Sequence, residues 1–152
     1  MASVNRQDND IMQAFEAICR QFGLSITPQR TAIYKELTGS AEHPSAITIF
    51  NKIREYYPNI SLDTVNRTLL TFHEIGLAKV VEGSGDAKRF DPNLTAHHHF
   101  RCIRCGKIID FSDHGYDAIE IPRELQDKFI VTAKIVHLEG ICDGCRSTVP
   151  HT

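Results

Sequence analysis

Residues 61–91 read SLDTVNRTLLTFHEIGLAKVVEGSGDAKRFD, and this stretch changes its hydrophobic period once. Ser61 is an N-cap residue type, with a hydroxyl placed to accept a backbone N–H one turn on. Leu62, Val65, Leu69 and Phe72 then recur at helical spacing, and Gly76 ends the run. Thr64, Asn66, Arg67 and Thr71 fall on the outward face, a set of short or forked hydrogen-bonding side chains with one positive charge. From Leu77 the pattern is extended. Leu77–Glu82 reads as a strand, Gly83-Ser84-Gly85-Asp86 as a turn and Ala87–Asp91 as the returning strand. A helix that feeds a hairpin, after other short helices, predicts a winged helix-turn-helix with the 61–76 helix in the major groove of DNA.

The residues before this stretch supply the other helices. Asp8 or Asn9 caps a helix carrying Ile11, Phe15, Ile18, Cys19 and Phe22, stopped by Gly23. Cys19 lies on that apolar stripe and reads as a small core residue. Thr27-Pro28 is a cap with proline at the first helical position, and Ile33 and Leu37 face inward before Gly39. His43-Pro44 is a connector, because the residue before proline avoids helical geometry. Ser45 caps a third helix with Ile49, Phe50 and Ile53 on one face.

After Asp91 the character changes. Pro92–Ala96 reads as a hinge. His97–Cys102, Lys107–Phe111 and Ile130–Glu139 read as strands, with a helix inside Tyr116–Lys128 that Pro122 starts or interrupts. The expected architecture is α+β: a winged helix-turn-helix over 1–91, the hinge at 92–96, and a small α/β domain over 97–152.

Composition narrows the function. The chain has 152 residues, 41% of them hydrophobic, which is enough for a packed core. No apolar run approaches the roughly 20 residues that span a bilayer. Met1–Asp10 is polar, without the apolar centre of a signal peptide, so a cytoplasmic protein with no membrane association is expected. The net charge is -2, with 10 Lys and Arg against 10 Asp and Glu in residues 1–90 and 7 against 9 in residues 91–152. Any DNA-binding surface must therefore be a local patch.

Four of the five cysteines form two Cys-x-x-Cys pairs, Cys102/Cys105 and Cys142/Cys145. A thioredoxin-like redox pair needs one such motif at the start of a helix. Two motifs in strand–turn settings, with Gly106 and Gly144 easing the backbone, give four thiolates for a tetrahedral structural zinc ion. That ion clamps the segment after Asp91 to the C-terminal end of the chain. His97 and His99, two apart on a strand, share a face and form either a chelating pair or exposed polar residues. Asp91 and Asp110 flank them in sequence. Nothing in the spacing brings His43 to this group.

These motifs occur in a recognisable order: Thr27-Pro28-Gln29-Arg30, His43-Pro44, Thr64-Val65, Arg89-Phe90-Asp91, the unbroken block His97 to Phe111, and Gly140 to Cys145. In that order they resemble the ferric uptake regulator family, from about residue 11 to residue 146. The resemblance implies a homodimeric, metal-dependent DNA-binding repressor with an N-terminal winged helix and a C-terminal dimerisation domain. It assigns Cys102, Cys105, Cys142 and Cys145 to a structural Zn²⁺, and His43, Asp91, His97, His99 and Asp110 to a regulatory site. Three imidazoles and two carboxylates suit Fe²⁺ or Mn²⁺. Aspartate at both 91 and 110 is similar to the peroxide-sensing branch, where iron sensors usually carry glutamate at 91 and often at 110. A second metal site of many iron sensors is degraded, with Ala96, His98 and Lys134 at three of its ligand positions. Asn66 stands where the family usually has tyrosine.

The resemblance implies a mechanism. One ion fixes the two halves relative to each other, and in a dimer this sets the spacing of the recognition helices on double-stranded operator DNA. Fe²⁺ with peroxide oxidises His43 or His97 and releases the DNA, whereas Mn²⁺ holds the DNA-binding form. Thr64, Asn66, Arg67 and Lys88 are the expected DNA contacts, with Arg89 either reaching phosphate or serving as an ordinary hairpin charge. An iron-, zinc- or nickel-responsive repressor is the alternative within the family. An enzyme of the mononuclear iron oxygenase type is disfavoured, because two protein ligands beyond the 2-His-1-carboxylate set leave too little room for substrate and O₂. A zinc-binding interaction module accounts for the cysteines but not for the winged helix.

Overall fold

The computed structural model describes residues 2–81 and 87–148. They form two compact units that divide between Leu94 and Thr95.

In the first unit, α1 (Ala2–Gln21) carries Phe15 and Cys19 fully buried. It begins well before the expected cap at Asp8 or Asn9. Residues 2–10 contain no glycine or proline, so each added turn extends an existing hydrogen-bond ladder at little cost. Gly23 ends the segment at φ +66°, with Leu24 N–H donating to the Cys19 carbonyl at 2.8 Å, a Schellman closure. Phe22 lies beyond the helix end and is 54% exposed, off the apolar stripe expected to hold it.

Thr27 caps α2 (Pro28–Thr38) by accepting from Arg30 N–H, and Ile33, Tyr34 and Leu37 point inward. Ser45 caps α3 (Ala46–Ile53), which buries Ile49 and Ile53. Ser61 caps α4 (Leu62–Glu74), which buries Val65, Thr68, Leu69 and Phe72. Leu62, expected inward, is 40% exposed. It occupies the first turn, ahead of the point where α4 meets the core. Phe15 stacks on Tyr34 with ring centroids 4.5 Å apart, and Phe72 meets Phe15 edge-on at 5.8 Å. Cys19 sits in the same core, where burial raises its thiol pKa.

Gly76 at φ +83° turns the chain out of α4. Strands β1 (Lys79–Val81) and β2 (Arg89–Asp91) pair antiparallel, with Val80 opposite Phe90 and Lys79 opposite Asp91. Both are shorter than expected. Leu77 and Ala78 are drawn into the helical core, and the expected turn Gly83-Ser84-Gly85-Asp86 lies outside the described residues. Helices α2 to α4 with this hairpin form a winged helix-turn-helix.

In the second unit, β3 (His98–Cys102) is central. It pairs antiparallel with β4 (Ile108–Phe111) and parallel with β5 (His137–Gly140). A short helix α5 (His114–Asp117) follows β4, and α6 (Arg123–Lys128) lies within the expected 116–128 with Pro122 at its start. A last short helix, α7 (Asp143–Arg146), carries the final cysteine. The expected strand Ile130–Glu139 exists only from His137. Residues 129–135 have no ladder partner among the described residues, Val136 accepts from His99 N–H, and Ile130 is 93% exposed. Cys102, Ile108 and Cys142 are the buried apolar residues described in this unit, a core too small to hold 50 residues unaided.

Candidate metal centres

Cys102 ends β3, and the knuckle after it reverses at Gly106, φ +74°, whose N–H donates to the Cys102 carbonyl at 2.9 Å. The parallel ladder sets Cys102 against Gly140, which delivers Cys142 and Cys145 to the same end of the sheet. The sulfurs of Cys102, Cys105, Cys142 and Cys145 lie within 4.8 Å of one another. Cys105 and Cys142 sulfurs are 3.7 Å apart. A zinc–sulfur bond of about 2.3 Å gives a tetrahedron edge of roughly 3.8 Å, whereas a disulfide needs about 2.05 Å. The backbone N–H groups of Cys105 and Cys142 bring the Cys102 thiol down to about 6. Hydrogen bonds from Cys142 and Cys105 push Cys145 up to about 12. The set fits a structural zinc ion.

The imidazole and carboxylate residues occur in two groups, one in each unit. In the first unit, His43 stands at φ +52°, a left-handed backbone uncommon outside glycine. Arg89 holds it there, donating from Nε to the His43 carbonyl and from Nη2 to the Glu42 carbonyl. Phe90 N–H donates to the Pro44 carbonyl at 3.0 Å, so the connector is stitched along β2. His43 Nε2 thereby lies 3.4 Å from Asp91 Oδ2, with both side chains buried. Asp91 Oδ1 accepts from Asn93 N–H.

In the second unit, Asp110 Oδ1 lies 3.4 Å from His97 Nε2 and 3.3 Å from His99 Nε2. His97 Nδ1 lies 2.5 Å from the Thr95 carbonyl, which places the proton on Nδ1 and leaves the Nε2 lone pair available to a metal. The strand register aligns Asp110, His99 and His137 across β4, β3 and β5. His137 Nε2 is buried without a hydrogen-bond partner among the described residues. Sequence reasoning had given His137 no role. Its position depends on the parallel pairing of β5, which its own spacing does not disclose.

His98 faces the other side of β3, as alternation requires. Its Nδ1 accepts from Val136 N–H at 3.0 Å and its Nε2 donates to Asp117 Oδ1 at 2.9 Å. Lys134 Nζ donates to the Asp117 and Ile119 carbonyls. A lysine ammonium thus occupies the setting in which the family resemblance places a second metal site.

Of the expected DNA contacts, Thr64, Asn66 and Arg67 lie on the outward face of α4 and Lys88 is exposed just before β2. Arg67 pairs with Asp63 at 2.9 Å. Arg89 turns Nε and Nη2 to the 42–43 backbone. Arg30, to which the spacing assigns no role, lines a groove with Thr64, Arg67 and Thr71 and donates from Nη1 to the Ser25 carbonyl at 2.8 Å.

A winged helix, a tetrathiolate cluster and imidazole–carboxylate groups in one chain define a metal-responsive transcription regulator. The Ferric uptake regulator family model matches residues 21–145, so the chain belongs to that family. It is similar to the peroxide-responsive repressor PerR of Staphylococcus epidermidis, at 33% identity over 95% of this chain and 96% of that one. The fold is shared with the Helicobacter pylori ferric uptake regulator, described with three functional metal binding sites, at a TM-score of 0.74 and 24% identity over 91% and 93% of the two chains. It is shared also with a zinc uptake regulator complexed with zinc and DNA, at a TM-score of 0.67 and 24% identity over 93% and 95%.

Proposed function

We propose that the chain is a peroxide-responsive repressor with a structural Zn²⁺ at Cys102, Cys105, Cys142 and Cys145 and a regulatory Fe²⁺ or Mn²⁺ held by His43, Asp91, His97, His99 and Asp110. The carrying observation is the division of the regulatory donors. His43 with Asp91 offers only two donors, and His97, His99 and Asp110 a 2-His-1-carboxylate set that leaves three positions of a six-coordinate ion open; together they supply five. Only the short segment 92–96 separates Asp91 from His97. A shared ion makes the relative placement of a DNA-binding domain, 1–91, and a dimerisation domain, 97–152, depend on metal, with 92–96 as the hinge.

Aspartate at 91 and 110, and the peroxide-responsive relative, favour peroxide over iron as the signal. Bound Fe²⁺ would supply the redox chemistry toward peroxide. His43 and His97 are the side chains that take up oxygen, and an oxidised imidazole is a poorer ligand. The DNA-bound form is a homodimer, a reading supported by the exposure of Ile119, Leu125, Phe129, Ile130 and Leu138 in the second unit. Thr64, Asn66, Arg67, Lys88 and Arg30 meet operator DNA. No helix of the described residues is long and apolar enough to cross a membrane, in keeping with a cytoplasmic regulator.

The test is a gel shift on operator DNA with the full chain loaded anaerobically with Fe²⁺ or Mn²⁺, before and after peroxide, with peptide masses taken in parallel. Expected are loss of DNA binding and a gain of one oxygen on the His43 or His97 peptide with Fe²⁺ only. Unchanged mass and binding would assign the chain to iron sensing instead.

A further inference from the structure

The outward side chains of α4 are mostly occupied within the protein. Thr64 Oγ1 lies 2.9 Å from Ser61 Oγ, Arg67 is paired with Asp63, and Thr71 donates to the Arg67 carbonyl at 2.9 Å. The Asn66 carboxamide differs. It has no hydrogen-bond partner among the described residues, although it carries two donors and two acceptor lone pairs. It lines a groove of about 540 Å³ together with Ala46, Ile47, Leu62, Ala87 and Lys88. Ile47 and Leu62 are 46% and 40% exposed there, at the first turns of α3 and α4.

We propose that this groove reads one A·T base pair in each half-site, with Asn66 bound to adenine and the thymine methyl seated on Ile47 and Leu62. The inference rests on the DNA-binding reading above. A carboxamide presents one donor and one acceptor side by side, the complement of adenine N7 and N6 in the major groove. Guanine offers two acceptors there and leaves the amide oxygen facing O6. Thymine carries a methyl that cytosine lacks, and the branched aliphatic walls bury it favourably. Lys88 at the groove edge supplies a phosphate contact that fixes register without reading sequence.

The experiment uses the full chain with zinc and Mn²⁺. A selection from a randomised duplex pool defines the preferred site. Wild type and Asn66→Ala then bind that duplex with each A·T pair changed singly to G·C, each adenine to 7-deazaadenine, or each thymine to deoxyuridine. The expected result is one position per half-site where G·C and 7-deazaadenine cost the wild type about 5- to 100-fold and cost Asn66→Ala almost nothing. Deoxyuridine in the same pair weakens the wild type and has less effect on Ile47→Ala. If Asn66→Ala retains the wild-type preference at every position, the base-reading assignment is wrong although the repressor reading stands. If the wild type enriches no sequence with metal, the repressor reading fails and the assignment fails with it. The modified bases change only the DNA, so the wild-type losses at the read position are measured without any variant, and a wild type indifferent to 7-deazaadenine at every position also overturns the assignment.

Discussion

Arg89 donates its guanidinium to the backbone carbonyl of His43, a residue 46 positions away in the chain. His43 is the one non-glycine residue with positive φ among the described residues. Such a backbone costs on the order of 1–3 kcal/mol and persists only where its surroundings over-determine it. Here the wing strand holds the connector, and the connector presents an imidazole beside Asp91.

Arg89→Ala should release this connector. The expected loss of stability is about 1.5–3 kcal/mol, the range for hydrogen bonds to a charged donor, read by urea unfolding of the zinc-loaded protein. Mn²⁺ affinity should fall with it in a calorimetric titration. Arg89→Lys should recover only part of the loss, because an ammonium lacks the fork that reaches two carbonyls. Full stability in Arg89→Ala would mean that the clamp contributes nothing.

Position 43 allows backbone and ligand roles to be separated. Asparagine tolerates left-handed geometry, so His43→Asn should unfold near the wild-type midpoint yet bind Mn²⁺ weakly. His43→Ala should lose both, by roughly another 1 kcal/mol of stability. Equal midpoints for the two variants would remove the strain argument.

Asp110 faces two imidazoles through one oxygen. Asp110→Asn keeps the shape and removes the charge, and Mn²⁺ affinity should drop by at least about 10-fold while the zinc content stays at one ion per chain. Zinc lost together with Mn²⁺ affinity would show that the two centres are not separate.

Removing zinc should act on one half of the molecule. Cys102→Ser, or prolonged chelation, is expected to abolish the cooperative unfolding transition of the second unit, where so few apolar residues are buried. The helical circular dichroism of the first unit should remain. Cys19→Ser should retain zinc, since that thiol belongs to the helical core. A fully cooperative, protease-resistant second unit without zinc would refute the clamp.

Lys134 should limit the number of ions. With its ammonium on the Asp117 and Ile119 carbonyls, the chain should saturate at two ions, one tightly held zinc and one exchangeable. Lys134→Ala should speed amide exchange across α5. A third tight ion in the wild type, found by elemental analysis, would contradict this reading.

Helix caps, the wing and the cysteine knuckles were legible because each depends on neighbours within a few residues. Ser45, Ser61 and Thr27 cap the helices assigned to them, and alternation correctly turned His98 away from His97 and His99. What escaped the sequence depends on distant partners. Leu62 reads inward by spacing but lies ahead of the core contact, and the run from Ile130 reads as a strand but meets β3 only at His137. Arg89 reads as either a phosphate contact or an ordinary hairpin charge, because nothing local shows it reaching back to residues 42 and 43. His43 joined the site residues through family resemblance alone, since its placement comes from that same reach.

The bare run 129–135 has a further consequence. With Phe129, Ile130, Val131 and Ile135 exposed and outside any ladder, it favours indiscriminate association until something covers it. A newly made copy therefore competes between correct partnering and clumping. Low abundance would prolong that vulnerable interval, and the level of synthesis becomes a variable in how much usable protein the cell obtains.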